Sequence, residues 1–363
     1  MAAREKIFVT RSFLPPKAEF DRRLAQVWRN YHLTNNGPMV QELEARLKAT
    51  LGADHLFYTG NGTIALQIAI RALDLKGEVI TTPFSYVAST TSILWEHCTP
   101  VYADIDPATC CIDPKRIEER ITPRTSAILA THVYGLACDV EAIQAIAAKH
   151  GLKVIYDGAH AFGSTYKGRS LMTFGDITTG SFHATKIFHT VEGGCVVVRD
   201  PDIAYRVQLM RQFGHAYDDH ILPGVNGKNS EFHAAMGLCV LDHFDAIMAD
   251  RAAQWHTYAR AFSGRPDCRV LHPGEHLGYN HSYFPLLFNT HAAMVRAQSA
   301  LLAEDIVPRR YFHPSLDQLP YLRDAVPCPI SRSIADSVLC LPLFHGLSAE
   351  DQERAIRTII GSL

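Results

Sequence analysis

The feature that most limits the fold is an alternation between residues 52 and 240. Short apolar runs rich in β-branched residues recur there, several of them followed by a stretch with helical spacing. The strand candidates are "HLFYT" (55–59), "EVITT" (78–82), "PVYAD" (100–104), "SAILAT" (126–131), "KVIYD" (153–157), "ITTGSF" (177–182) and "CVVV" (195–198). Between them lie amphipathic stretches such as "TIALQIAIRALDL" and "DVEAIQAIAAKHG". The second opens on Asp139, a helix-capping residue, and closes at Gly151. Strands alternating with helices build a mostly parallel sheet covered on both faces, and ligands collect at the carboxyl ends of its strands. The chain therefore reads as α/β, with seven strands in its large sheet.

After about residue 240 the pattern changes. "FHAAMGLCVLDHFDAIMADRAAQWHTYARAFS" is one long helical pattern, followed by "YFPLLFN", the helix-like "AAMVRAQSALLAED" and a terminal helix in "AEDQERAIRTIIGSL". This predicts a large domain over 1–245 and a smaller α/β domain over 246–363. The opening segment, with its "TNNGP" turn, is expected to pack against the smaller unit or to cross the mouth of the site.

Composition excludes some classes of partner. A net charge of -2 gives no general attraction to nucleic acid or to an anionic membrane. No apolar run approaches the ~20 residues of a membrane span. The start, "MAAREKIFVTRSFLPP", lacks the apolar segment of a secretory signal. The nine cysteines form no C-x-x-C pair, and adjacent Cys110 and Cys111 are not a zinc spacing. They read as reduced thiols of a cytoplasmic protein, with no metal expected.

Three loops at strand ends carry the chemistry. In "YTGNGTIALQ" a strand ends, glycines turn the chain and a helix begins near Thr63. Amides at a helix start, with a threonine hydroxyl, suit a phosphate. Gly60-x-Gly62-x-x-Ala65 also fits a dinucleotide fingerprint, and a plain structural glycine turn fits as well. A dinucleotide fold wants an acid at the end of the next strand, where this chain has Thr81-Thr82-Pro83, and that counts against NAD. In "KVIYDGAHAFG", Asp157 ends an apolar strand, where a carboxylate needs a partner. A pyridinium nitrogen would be one, and His160 could touch the same ligand; a capping role is the plain alternative. In "GSFHATKIFHTVEGG", Ser181 and Lys186 follow the strand "ITTGSF". A lysine forms a Schiff base with an aldehyde when its amine is partly deprotonated. Taken singly, each of these residues has an ordinary structural reading; together they suggest one site.

The motifs together resemble the DegT/DnrJ/EryC1/StrS family of sugar-nucleotide aminotransferases, of the pyridoxal-phosphate fold type I superfamily. The resemblance covers nearly the whole length, through "LTNNGPMVQELE", "GNGTIAL", "TTPFSYVAST", "PVYADIDP", "THVYG", "YDGAHAFG", "SFHATKIFHTVEGG", "GVNGKNSEFHAAMG" and "LCLPLFHGLS". It implies pyridoxal 5′-phosphate bound as a Schiff base to Lys186, which then acts as general acid–base. It also implies Asp157 at the pyridine nitrogen, His160 beside the ring hydroxyl, and Tyr86 stacked on the ring. Gly62, Thr63 and Ser181 would hold the phosphate. Asn226 would reach it from the neighbouring subunit, so the active sites of a homodimer would be shared. His183 and Lys228 are candidates for the substrate pocket. Many family members have N-Y-R where this chain has Asn226-Gly227-Lys228, which puts substrate contacts there in doubt. Branches that became dehydratases carry histidine in place of the lysine, so Lys186 favours transamination.

The implied reaction moves an amino group from L-glutamate to a nucleotide-linked ketosugar. "LTNNGP" resembles branches that aminate C4 of a 4-keto-6-deoxyhexose, and "RRYFHPSLDQLPYL" resembles enzymes making dTDP-4-amino-4,6-dideoxyglucose. Amination at C3 is the runner-up. An NAD-type oxidoreductase and a non-catalytic sugar-binding homologue are the rivals from other classes.

Overall fold

The computed structural model describes residues 5–322 and 325–363. Each of the seven expected runs forms a strand, with ends shifted by a residue or two: β1 (His55–Thr59), β2 (Glu78–Thr81), β3 (Thr99–Tyr102), β4 (Thr125–Thr131), β5 (Lys153–Asp157), β6 (Ile177–Ser181) and β7 (Gly194–Val198). They make one sheet in the order β1-β7-β6-β5-β4-β2-β3. The pairs from β3 through β2, β4 and β5 to β6 are parallel, while β7 runs against both of its neighbours. In the central strand β5, Val154, Ile155 and Tyr156 are all buried, as a strand covered on both faces requires.

Helix α1 (Gly62–Ala72) follows β1 and buries Ala65, Leu66, Ile68 and Ala69. Helix α2 (Val87–Trp95) follows β2, and helix α3 (Val140–His150) leads into β5. The α3 boundaries are those its residues predict: the Asp139 carboxylate accepts from the Ala142 N–H, and Gly151 closes the helix at φ 66°.

The long pattern after residue 230 is two helices rather than one. Helix α4 (Glu231–Asp242) and helix α5 (Phe244–Phe262) meet at a 60° bend. The pivot, His243, leaves helical geometry at φ -106°, ψ 5°. Its Nε2 lies 2.8 Å from the Glu19 carboxylate and its ring 5.3 Å from Phe13, so the opening segment fills the corner. Glu231 at the start of α4 also caps another helix. The helix Pro38–Leu51 has no capping side chain of its own, and the buried Glu231 carboxylate accepts from the Met39 and Val40 amides at 2.8 and 3.0 Å.

A second, three-stranded antiparallel sheet joins β8 (Cys268–Val270), β9 (Phe284–Phe288) and β10 (Val338–Leu341). One apolar cluster runs from Ile80 and Ile128 in the first sheet through Tyr258 and Phe262 of α5 to Phe284 and Leu339 in the second. Ile7–Phe8 pairs in parallel with Ile306–Val307, and the Ser12 hydroxyl then donates to the Ala184 carbonyl at 2.6 Å. All nine cysteines are free and buried. Among the described residues no single helix is long and apolar enough to cross a membrane.

Candidate active site

Register brings the three loops together. Asp157 pairs with Thr131 on one side and Thr179 on the other, while Gly194 pairs with both Ser181 and Thr59. The ends of β1, β4, β5 and β6 therefore share one edge of the sheet. A cavity of about 390 Å3 opens there. Gly62, Thr63, Tyr86, Asp157, His160, Ser181, His183 and Lys186 all line it.

Asp157 is buried. Its carboxylate accepts from the Ser89 hydroxyl at 2.7 Å and from the Ala159 amide at 3.0 Å. Two neutral donors leave a carboxylate with unused acceptor capacity, and its charge invites a cation in the cavity. Ser89 sits on α2, three residues after Tyr86. Tyr86 itself stands at the N-cap position of that helix, lines the cavity and is 62% exposed.

His160 is buried between aromatic rings, with Phe312 nearly parallel at 5.6 Å and Tyr283 tilted at 4.7 Å. Burial, and then the nearby Lys186 charge, hold its basicity well below the usual histidine range. Its Nδ1 accepts from the Tyr134 N–H at 3.1 Å, so the neutral ring carries its proton on Nε2. His160 is therefore a fixed hydrogen-bond donor.

Lys186 lies in the loop 182–193 that joins β6 to β7. The loop is closed by bonds from Phe182 N to Gly193 O and from Thr190 N to Phe182 O. Phe188 anchors it, stacked 4.6 Å from Phe162. Lys186 is half-buried, and desolvation lowers its basicity even though Asp157, Tyr311 and Tyr86 act in the opposite direction. A lysine so placed keeps a share of neutral, nucleophilic amine.

The anion cup lies at the start of α1. Asn61 caps the helix, its side chain accepting from the Ile64 amide at 2.8 Å. A Cβ on Gly62 would stand 2.9 Å from the Ser181 Cβ, so a side chain there would fill the cup. Gly194 serves the same packing, because a Cβ there would meet the Asn61 carbonyl at 2.5 Å. The structure thus offers a helix start with hydroxyls for a phosphate, an underused buried carboxylate, a neutral histidine donor and a weakened lysine. This donor set fits pyridoxal phosphate.

His183 is exposed at the rim, its Nδ1 2.9 Å from the Thr185 hydroxyl and its Nε2 3.7 Å from the Glu192 carboxylate. Asn226 and Lys228 do not line their own chain's cavity. Asn226 is exposed and accepts from Lys228 Nζ at 2.8 Å, while Gly227 O accepts from the Gly60 amide at 2.8 Å. Sequence reasoning missed Ser89, Glu192, Tyr283, Arg309, Tyr311 and Phe312. Ser89 had a signal in its helical spacing from Tyr86; the wall from the second sheet had none. The sequence also holds one H-x-x-x-H spacing, His272 to His276. Among the described residues no group of His, Cys, Asp or Glu is gathered to hold a metal ion.

A mostly parallel sheet that gathers a lysine, a carboxylate and a helix start at one edge defines the class: an aminotransferase of the pyridoxal-phosphate type. The DegT/DnrJ/EryC1/StrS aminotransferase family matches residues 16–360, and the chain belongs to it. It is 42% identical over 359 residues to a dTDP-4-amino-4,6-dideoxy-D-glucose transaminase of Shigella dysenteriae, covering 97% of this chain and 98% of that protein. A protein of the same name from Escherichia coli is 38% identical over 366 residues, with 98% of each chain covered. Among solved structures, DesI in the presence of its TDP-sugar product superposes with a TM-score of 0.93 at 32% identity, covering 99% of this chain and 93% of that one. The protein is a sugar aminotransferase; its fold neighbours do not favour the oxidoreductase reading.

Proposed function

We propose that this enzyme transfers the amino group of L-glutamate to C4 of dTDP-4-keto-6-deoxyglucose, giving dTDP-4-amino-4,6-dideoxyglucose. The observation that carries the reading is the gathering of Lys186, Asp157 and the Gly62-Thr63 helix start in one cavity. Its C4 regiochemistry is supported by the names of the two relatives at 42% and 38% identity.

Pyridoxal phosphate, when bound, supplies an aldehyde that condenses with amines and a ring that draws electrons from the carbon beside the new bond. Lys186 would hold it covalently. Gly62, Thr63 and Ser181 would hold its phosphate, and Tyr86 would cover a ring face. Asp157 would keep a proton on the ring nitrogen by offering it a buried negative charge. His160 would donate from Nε2 to the ring oxygen without changing its own charge. Lys186 would take the proton from the donor's α-carbon and hand it to the cofactor's C4′ carbon within the same half-reaction, and would run the transfer in reverse with the ketosugar, so that neither half leaves the transferred proton on its amine. His183, at the rim beside Glu192, would face the sugar, and Lys228 would reach it only from a second copy.

The exposed Asn226 loop would complete the phosphate cup of a second copy, making a cytoplasmic homodimer with shared sites. The chain would divide at residue 245, within α5. Mixing Lys186→Ala and Asn226→Ala chains should restore one working site per mixed dimer; no recovery, with subunits exchanging, would rule out the sharing.

Glutamate is to be supplied with dTDP-linked 4-keto and 3-keto sugars, and the new amine located by NMR. An amine at C4 of the 4-keto substrate is expected. Turnover of the 3-keto isomer alone would replace the C4 reading by C3 amination.

A further inference from the structure

The sheet wall of the cavity, as distinct from the second wall built by Arg309, Tyr311 and Phe312, holds two hydroxyls with no role so far. They belong to Ser85 and Thr131, and both line the cavity along with Asp157. Thr131 ends β4 and pairs in register with Asp157 at the end of β5. Ser85 comes just before Tyr86, at the start of α2. Ser85, Ser89 and Thr131 are all buried. Thr131 Oγ1 lies 3.1 Å from Ser85 Oγ, which lies 2.8 Å from Ser89 Oγ, which lies 2.7 Å from Asp157 Oδ2. Three hydroxyls in a row thus end on the carboxylate.

Proton counting gives the row a direction. An ionised carboxylate only accepts, and each hydroxyl has a single proton. Ser89 gives its proton to Asp157, so its oxygen is left to accept from Ser85. Ser85 has then given its own, and accepts from Thr131. All three O–H dipoles therefore point toward Asp157 while it is charged. In a dry interior such dipoles polarise one another, and each favours the charged carboxylate over the neutral one. Ordinary burial gives a different pattern. Thr91, two residues beyond Ser89 on the same helix, donates back to the Val87 carbonyl at 3.1 Å, the usual outlet of a helical hydroxyl. Ser89 does not, and its two neighbours in the row bond side chains as well.

Resting on the aminotransferase reading and the role it gives Asp157, we propose that Ser85 and Thr131 are positioning residues for this reaction. Acting through Ser89, they form a one-way chain of donors that holds the Asp157 carboxylate in place and keeps it charged.

The test reads Asp157 itself in the unloaded protein, by carbon NMR of labelled aspartate, with its signal assigned from Asp157→Asn and folding checked by circular dichroism. The pH midpoint of the Asp157 carboxyl should rise by about 1 in Ser89→Ala, by about half as much in Ser85→Ala, and by roughly 0.2 in Thr131→Val. Thr131→Ser should restore the original midpoint. Double variants separate a chain from three unconnected contacts. Ser89→Ala cuts the last link, so adding Ser85→Ala or Thr131→Val to it should shift nothing further, whereas unconnected contacts would add. Should Thr131→Val fail to fold, Ser85→Ala and its double variant still decide. In the loaded enzyme kcat should fall in the same order, by about tenfold, fivefold and twofold, with the glutamate KM within about twofold. Additive shifts in the double variants, an unmoved midpoint in Ser85→Ala, or no restoration by Thr131→Ser would overturn the proposal. Failure of the aminotransferase reading would look different, since the unaltered enzyme would then complete no turnover while the midpoints still moved in this order.

Discussion

Asp157 and Arg309 bring opposite charges into one cavity, and their surroundings differ in every respect. Asp157 ends a central strand, is buried, and has its carboxylate set by Ser89 and Ala159. Arg309 leaves a short edge segment, is exposed, and meets Tyr311 through both its ring and its hydroxyl. The sheet wall is preorganised for one unchanging guest. The second wall carries an exposed charge with no carboxylate partner among the described residues. Fixed chemistry belongs on rigid elements, and substrate exchange belongs where side chains keep their freedom.

Breaking the sheet wall should cost most. Asp157→Asn removes the charge and keeps the shape, and turnover should fall on the order of a hundredfold or more with the fold intact. Steady-state kinetics beside a circular dichroism spectrum will show it; near-normal turnover would remove Asp157 from its role. Gly62→Val should come next. Its side chain would fill the phosphate cup, and cofactor binding should weaken about tenfold or more, by equilibrium dialysis.

A third change probes what stiffens the sheet edge. His132 follows β4, stacks 4.6 Å from Tyr156, and accepts from the Cys138 amide through Nδ1. Burial lowers its basicity to about 3. Between pH 6.5 and that value the unfolded chain binds a proton that the folded one refuses, so stability falls as pH falls through this window. His132→Asn can still accept from Cys138 and has nothing to titrate. The loss of stability between pH 6.5 and 5 should shrink by about 2 kcal/mol, read from denaturant midpoints at each pH. An unchanged slope would clear His132 of the acid sensitivity. Ser89→Ala, the mildest change, leaves Asp157 with one neutral donor; turnover should fall about tenfold or less.

The sheet wall was legible in the sequence because strand alternation and turn glycines are local signals. "KVIYD", "GNGT" and "SFHATK" each fix a strand end and the residue just past it, so Asp157, Thr63 and Lys186 could be named and placed at one edge. The second wall was not legible. Arg309 and Tyr311 stand next to Arg310 and Phe312 in "RRYF", and nothing local separates the arginine with a carboxylate partner from the one with none among the described residues. That depends on Asp336 and Cys340 arriving from distant sequence. The same limit hid the Glu231 cap on the helix at Pro38, and the corner at His243 that splits one helical pattern into two. Asn226 lies between these cases. Its motif was visible, yet it does not line the cavity of its own chain, and the phosphate contact proposed for it would be made to a second copy.

The central claim is that Lys186 is the residue joined to the cofactor, and its most direct test is chemical. Loaded protein is to be reduced with borohydride, digested and sequenced by mass spectrometry. The account predicts a single pyridoxyl adduct, on Lys186, and no adduct on a Lys186→Ala protein. A modified residue elsewhere in the unaltered chain, or an unmodified Lys186, would contradict it.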